Sequence, residues 1–201
     1  MGIIAVLLVV VIVTFFVLRR PTKVSLASIP ERFVVFDLET TGLNAQKHEI
    51  IEIGAIRVNR DSAHHETFQS LVKPSKKVPA KITQITGITQ AMVDAEGEPL
   101  DIAIQEFFSF IGELPLVAFN AEFDMAFLRA AAQQNSITIR NPVSCALKMA
   151  RRAWPGRNSY RLTNLAKDGN LSLEGTHRAL GDCKRTLTVY VAAASILRTA
   201  K

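Results

Sequence analysis

Residues 33–42 read Phe-Val-Val-Phe-Asp-Leu-Glu-Thr-Thr-Gly, an apolar run that ends in two acids. The β-branched and aromatic residues at 33–36 predict a buried strand. Because side chains two positions apart lie on the same face of a strand, Asp37 and Glu39 point the same way. Two like charges held together raise the free energy unless a cation lies between them, and carboxylate oxygens suit Mg²⁺ or Mn²⁺. The stretch therefore predicts a strand ending in a divalent metal site, with two solvent-facing acids as the alternative.

The periodicity of the rest of the chain predicts an α/β domain with a mixed sheet. Two further strands with short connections, and hence antiparallel pairing, are predicted at 49–58 and 66–72, and a short fourth strand at 116–119. Helical periodicity begins at Pro99. The later helices are predicted at 122–133, 145–153, 162–167 and 178–198. This succession of strands and helices indicates the fold class and leaves the function open.

Three more chemically active residues lie close to the start of a predicted helix. Asp124 falls in the first turn of the helix after the fourth strand, where an acid could equally complement the helix dipole. His177 and Asp182 are five positions apart, a spacing that does not put two side chains on one helical face. They can face one cleft if His177 lies on the loop before the helix and Asp182 in its opening turns. The alternative is a surface histidine and an exposed acid.

Taken together, these stretches resemble the DnaQ-like exonucleases of the DEDDh class. The family motif D-x-E-T-T-G is present at 37–42, N-x-x-F-D-x-x-F-L at 120–128, and H-x-A-x-x-D at 177–182. Within that family the chain is most similar to the proofreading exonuclease (epsilon) subunits of bacterial DNA polymerase III, over roughly residues 33–195. The resemblance implies a ribonuclease-H-like exonuclease fold, with a mixed five-stranded sheet flanked by helices.

The resemblance also implies roles for the candidate site residues. Asp37 is expected to bridge two divalent ions, Mg²⁺ or Mn²⁺, with Glu39 and Asp182 completing one metal site and Asp124 supporting the other. His177 is expected to act as general base on the attacking water, because histidine exchanges protons near neutral pH. The expected reaction is 3′→5′ hydrolysis of single-stranded or frayed DNA ends to nucleoside 5′-monophosphates.

The neighbours of the acids within these motifs are candidates for binding the substrate. They are Thr40, Leu43, Asn120 and Phe123. The apolar side chains of Leu43 and Phe123 are expected to hold the terminal base away from its stacked neighbours.

The N-terminal segment is unlike the rest of the chain. Residues 3–18 contain one hydroxyl and no charge, an apolar run near the lower limit for crossing a bilayer. No basic residue precedes the run and Arg19 and Arg20 follow it, which favours a membrane anchor over a cleaved signal peptide or a buried core helix. The expected organisation is a transmembrane anchor at 1–20, a linker at 21–32 and an exonuclease domain at 33–201. The domain is expected on the cytoplasmic side of the inner membrane.

The chain carries a net positive charge, which bears on the kind of substrate or partner it can bind. The formal net charge is +6 and the isoelectric point is near 9.6, which is compatible with a polyanionic substrate. The resemblance to polymerase-associated exonucleases favours DNA over RNA as that substrate, with trimming of RNA 3′ ends as the nearest alternative. A membrane-tethered nucleic-acid-binding module without catalysis is the alternative from a different class. A polymerase partner stays open, although no tail like that of the epsilon subunit is visible after the domain.

Overall fold

The computed structural model describes residues 29–199 and contains one mixed five-stranded sheet. Its strands are β1 (Arg32–Thr40), β2 (Ile50–Asn59), β3 (Glu66–Leu71), β4 (Leu116–Ala118) and β5 (Val143–Cys145), in the spatial order β3-β2-β1-β4-β5. The pairs β1–β2 and β2–β3 are antiparallel, whereas β1–β4 and β4–β5 are parallel. The predicted fold class and the predicted antiparallel pairing of the first three strands are confirmed.

Seven helices follow or connect these strands within the described residues. They are α1 (Ala80–Thr86), α2 (Gln90–Ala95), α3 (Leu100–Ile111), α4 (Ala121–Gln134), α5 (Ala146–Ala153), α6 (Leu162–Asp168) and α7 (Ala179–Thr199). The periodicity predicted the start of α3 and both ends of α4 to α7 to within two residues. It did not predict α1, α2 or β5, and it wrongly assigned Cys145 to a helix. Cys145 ends β5 because it pairs with Ala118 in the parallel ladder to β4, a contact that no local pattern encodes.

Strand β1 is buried on both faces, and its alternation divides its side chains between two cores. Val34, Phe36 and Leu38 pack with residues of α3 and α4. Phe33 and Val35 pack on the opposite face with residues of α5 and α7. A slip of one residue would exchange the two sets, so the buried pattern fixes the register. Asp37 and Glu39 continue the odd-numbered set and therefore face the side on which α7 lies.

The predicted anchor, residues 1–20, lies outside the described part of the chain, as does most of the predicted linker. Between residues 29 and 199, none of the helices combines the length and the apolar character that crossing a bilayer requires. Residues 29 and 30 are the first of the linker to be described, and Ile29 packs against the core cluster that contains Phe33.

Candidate active site

The candidate site is built where β1 ends and α7 begins. Ligand oxygens of Asp37, Glu39 and Asp182 lie within 4.8 Å of one another. Asp37 and Glu39 come from β1, and Asp182 lies in the first turn of α7. The ladder to β2 changes register between Glu39 and Thr40, so the regular pairing of the strand ends at the site.

A glycine on β2 allows α7 to approach the sheet closely enough to bring Asp182 to β1. Gly54 pairs with Asp37 in the antiparallel ladder. A Cβ atom at Gly54 would lie 2.5 Å from the backbone nitrogen of Leu180 and 2.7 Å from the Cβ of Ala179. No real Cβ tolerates such contacts with backbone atoms, so the missing side chain sets the distance between the strand and the helix.

Asp124 joins the site from the other side of the sheet. It is 3% exposed and lies in the first turn of α4, whose apolar residues Met125, Phe127 and Leu128 hold the helix in the core. Its carboxylate accepts a backbone hydrogen bond from Leu38, next to Asp37 in β1. Among the charged neighbours of Asp37, Asp124 has the largest influence on its pKa. The structure therefore brings all four predicted acids together.

Burial and mutual repulsion change the acidity of these carboxyl groups. Burial, followed by the charges of Asp124, Glu39 and Asp182, raises the pKa of Asp37 well above its usual range. Burial and the charge of Asp182 raise the pKa of Glu39 to about 8. Burial also raises the pKa of Asp124 to about 7, against the effect of its backbone hydrogen bonds. Carboxylates crowded in this way are the donor set that a hard divalent cation stabilises, so these residues fit Mg²⁺ or Mn²⁺.

His177 lies in the turn directly before α7, where the spacing of the third motif required it to be. Its φ of 60° is left-handed, which is uncommon for a residue with a side chain. The backbone N–H of His177 donates to Oδ2 of Asp182 over 3.2 Å. The residue is exposed, so its imidazole is accessible from solvent.

The four predicted substrate residues have different environments. Leu43 is 85% exposed and lies just beyond β1. Phe123 is half-buried, with its ring centroid 5.1 Å from that of Phe127. Thr40 is buried, and its hydroxyl donates to the Gly42 carbonyl over 2.7 Å, which stabilises the turn after β1. Asn120 is exposed and caps α4 without a side-chain hydrogen bond.

A buried ion pair between Glu52 and Arg178, which the sequence analysis did not predict, holds the start of α7. Glu52 on β2 is fully buried and accepts from Nε and Nη2 of Arg178, at 3.1 and 2.6 Å. It also accepts from the backbone N–H of Ala179 over 2.9 Å and from the amide of Gln69 over 2.9 Å. The carboxylate of Glu52 on strand β2 thus accepts a hydrogen bond from a backbone N–H in the first turn of α7, which has no partner within the helix. The one available signal was an acid within the apolar run Ile50-Ile51-Glu52-Ile53.

Comparisons with known proteins agree with this architecture. The RNase_T family profile, described as an exonuclease, matches residues 34–190. The DNA polymerase III epsilon subunit of Aquifex aeolicus is 36% identical over 161 residues, covering 79% of this chain and 78% of that protein. DNA polymerase III PolC-type of Clostridium perfringens is 38% identical over 163 residues, covering 81% of this chain. The match spans 11% of the PolC-type protein's own length.

Solved structures share the fold. E. coli exonuclease I in complex with a dA16 oligonucleotide superposes on this chain with a TM-score of 0.69 at 21% identity. The superposition covers 85% of this chain and 43% of that one. The mixed sheet with flanking helices is therefore the ribonuclease-H-like exonuclease fold.

Proposed function

The chain belongs to the exonuclease family, and on that premise we propose that it hydrolyses DNA from the 3′ end with two divalent ions. The products are nucleoside 5′-monophosphates, and the substrates are single-stranded or frayed ends. The observation that carries the proposal is the cluster of Asp37, Glu39 and Asp182 oxygens within 4.8 Å of one another. Repelling carboxylates on a buried strand end have no structural benefit without a cation, which makes a metal-dependent reaction the best explanation of their arrangement.

In this proposal each acid has a role in holding Mg²⁺ or Mn²⁺. Asp37 shares the cluster with Glu39 and Asp182 and is also influenced by the charge of Asp124, so it is the residue that would bridge two ions. Glu39 and Asp182 would complete the site of one ion, and Asp124 would support the other. Two ions held there would stabilise the negative charge on the scissile phosphodiester and on the leaving 3′-oxygen.

We assign the general base to His177. Its exposed position beside Asp182 gives the imidazole access to a water that approaches the carboxylate cluster. The hydrogen bond from its backbone to Asp182 ties the base to an acid of the metal site, so the two move together. The imidazole takes the proton of the attacking water, and histidine is suited to this near neutral pH.

The comparisons favour DNA as the substrate. The epsilon subunit of Aquifex aeolicus is named for DNA polymerase III, and E. coli exonuclease I was solved in complex with a dA16 oligonucleotide. The side chain of Leu43 is 85% exposed in the turn after β1, which supports a role in separating the last two bases. Thr40, Asn120 and Phe123 line the same end of the sheet and complete the substrate residues of the proposal.

We also propose that residues 1–20 anchor this domain to the inner membrane, with the domain at 33–201 in the cytoplasm. The support is the uncharged run at 3–18 and the arginines that follow it. An anchored nuclease of this kind would act on ends that come close to the membrane.

The reaction is tested with the full chain in mild detergent and 5′-labelled single-stranded DNA and RNA of equal sequence. Mg²⁺, Mn²⁺ and EDTA are compared for wild type, Asp37→Ala and His177→Ala. We expect metal-dependent laddering from the 3′ end of DNA, faster than from RNA, and loss of at least about 100-fold in rate in both variants. Absence of cleavage of both nucleic acids with both metals would refute the proposed function.

A further inference from the structure

Beyond the acids and the histidine, one buried cation links the site to a loop. Arg185 lies one turn after Asp182 on α7, and its side chain is 5% exposed. A guanidinium has five N–H donors in a planar fork. Arg185 donates four hydrogen bonds, from Nε to Oδ1 of Asp182 at 2.9 Å, from Nη1 to the carbonyls of Ser172 and Glu174 at 3.2 and 3.1 Å, and from Nη2 to the carbonyl of Gly175 at 2.8 Å. Nη2 also lies 2.8 Å from Oδ1 of Asp182 in an ion pair. A buried arginine held by this many contacts is a costly feature unless its position matters.

The three carbonyls belong to the loop that leads into His177. Residues 172–175 are exposed, so apolar burial does little to hold this loop. Its other hydrogen bonds are local, such as those from Thr176 to Leu173 and from Arg178 to Gly175. Contact with the body of the domain comes from Arg185 and from the close passage of the loop over Gly181. A Cβ at Gly181 would lie 2.2 Å from the Gly175 carbonyl oxygen.

The carboxylate of Asp182 connects this contact to the general base. Oδ1 accepts from Arg185, while Oδ2 accepts from the backbone N–H of His177. Arg185 therefore fixes both ends of the segment 172–177, at its carbonyls directly and at His177 through Asp182. The left-handed backbone of His177, unlike that of Gly175, is uncommon for a residue with a side chain and needs such outside contacts to persist.

We propose that Arg185 is a positioning residue for the hydrolysis, which clamps the loop 172–177 so that His177 is held at the carboxylate cluster. This inference rests on the proposed function. Arg185 is not expected to touch the substrate or a metal ion, and it acts through Asp182 and the loop. A displacement of about 1 Å in a catalytic group can lower a rate on the order of 100-fold, so loosening the clamp should lower kcat. It should leave KM for the oligonucleotide nearly unchanged, because no substrate contact is lost.

The test compares Arg185→Ala and Arg185→Lys with Lys184→Ala in the full chain. A cavity of about 460 Å³ beside the loop is lined by both Arg185 and Lys184. Lys184 is exposed and carries the same charge as Arg185, so it is the matched control. We expect kcat to fall about 10–100-fold in both Arg185 variants, as for other residues that orient a ligand, and to stay at the wild-type value in Lys184→Ala. Arg185→Lys keeps the positive charge beside Asp182 and loses the planar set of N–H donors that reaches the loop carbonyls. It therefore provides the test if Arg185→Ala does not fold.

Two readouts separate positioning from a general loss of stability. Guanidinium at millimolar concentration should partly restore kcat of Arg185→Ala through the cavity and should not raise kcat of wild type or Lys184→Ala. Backbone amides at 173–177 should exchange with solvent faster in the Arg185 variants, while the sheet exchanges as before. Wild-type kcat in both Arg185 variants, or unchanged loop exchange, would overturn the clamp. The exchange measurement needs no activity, so an inactive wild type would count against the proposed function and leave the clamp to be decided by exchange.

Discussion

The carboxyl groups of the site disfavour the folded state when no cation is bound. Burial and repulsion raise the pKa values of Glu39 to about 8 and of Asp124 to about 7, above those of an unfolded chain. Between the unfolded and the folded values the native state holds protons that unfolding releases. The free energy of unfolding therefore falls as the pH rises through this window, from about 4.5 towards 8 for Glu39.

We accordingly expect the melting temperature in EDTA to be lower at about pH 8 than at about pH 5. Adding Mn²⁺ or Mg²⁺ should raise it more at the higher pH, where the acids are charged and bind the ion without releasing protons. Calorimetry at the two pH values with and without metal measures both effects.

The variant Glu39→Gln should be more stable than wild type in EDTA at about pH 8, each kcal/mol raising the melting temperature by about 2–4 °C for a domain of this size. Its melting temperature should respond less to metal. Glu122→Gln is the control, since it removes the same charge from an exposed position in the first turn of α4. A Glu39→Gln protein less stable than wild type under these conditions would contradict the repulsion.

Neutralising Glu52, unlike neutralising Glu39, should destabilise the fold, because Glu52 forms a buried ion pair with Arg178. Glu52→Gln leaves Arg178 and the N–H of Ala179 without their carboxylate, and loss of a buried charged hydrogen-bond partner costs about 1–3 kcal/mol. Urea denaturation measures the change in the free energy of unfolding. Glu66→Gln is the matched control, because Glu66 also pairs with an arginine, Arg57, but on the surface, where such pairs contribute about 0–1 kcal/mol. Equal effects of the two substitutions would count against the role of Glu52.

At the scale of elements, the contact between β2 and α7 decides the geometry of the site. Gly54→Ala would place a methyl group 2.5 Å from the backbone of Leu180 and push the start of α7 away from β1. We expect a loss of stability of about 1–3 kcal/mol, as for other overpacked contacts, together with weaker Mn²⁺ binding because Asp182 moves with α7. Isothermal titration with Mn²⁺ and urea denaturation measure the two effects.

Gly169→Ala is the control for that substitution. Its added methyl group would come no closer than 3.4 Å to other atoms, an ordinary contact, and its φ of −87° suits alanine. We expect wild-type Mn²⁺ affinity in this variant. If Gly54→Ala binds Mn²⁺ as tightly as Gly169→Ala does, the spacing between β2 and α7 does not control the metal site.

How far the sequence predicts the elements depends on whether local pattern or pairing stabilises them. Strand β1 and helices α3 to α7 carry their own periodicity and were predicted. Strand β5 is three residues long, is at most half-buried and exists through its pairing with β4, so its composition gave no signal. Helices α1 and α2 have seven and six residues, too few turns to show a period. Asp37 and Glu39 were paired by their spacing on one strand, whereas Asp124 and Asp182 were joined to them by the resemblance of their motifs to those of a known family.

The supporting contacts of the site could not be predicted, because they join residues that are distant in the chain. Glu52 and Arg178 are 126 positions apart, and their pairing follows from the docking of α7 on β2. Arg185 is near Asp182 in sequence, yet its carbonyl partners at 172–175 come from a loop whose path only the fold determines. Short motifs thus predict the candidate reacting groups, and only the tertiary structure shows the contacts that orient them.

At the scale of the whole molecule, the five strands, the seven helices and every candidate site residue fall within residues 29–199. We expect the proposed anchor to affect location and not chemistry. This separates the proposed anchor from the proposed enzyme, and it allows each to be tested with the other as its control.

We expect a chain that begins at residue 29 to keep the melting temperature and kcat of the full chain on a short oligonucleotide. It should lose sedimentation with membranes, which the full chain should show even at high salt, since an apolar span is held by the hydrocarbon core and not by surface charge. A chain that begins at residue 33 should be less stable by about 1 kcal/mol, because it lacks the Ile29 side chain on the core and the hydrogen bonds that Arg60 makes to the carbonyls of Ile29 and Glu31. Equal recovery of the full chain and the chain from residue 29 in the soluble fraction would reject the anchor without touching the exonuclease. A lower kcat on deleting residues 1–28 would instead show that this segment contributes to the active site.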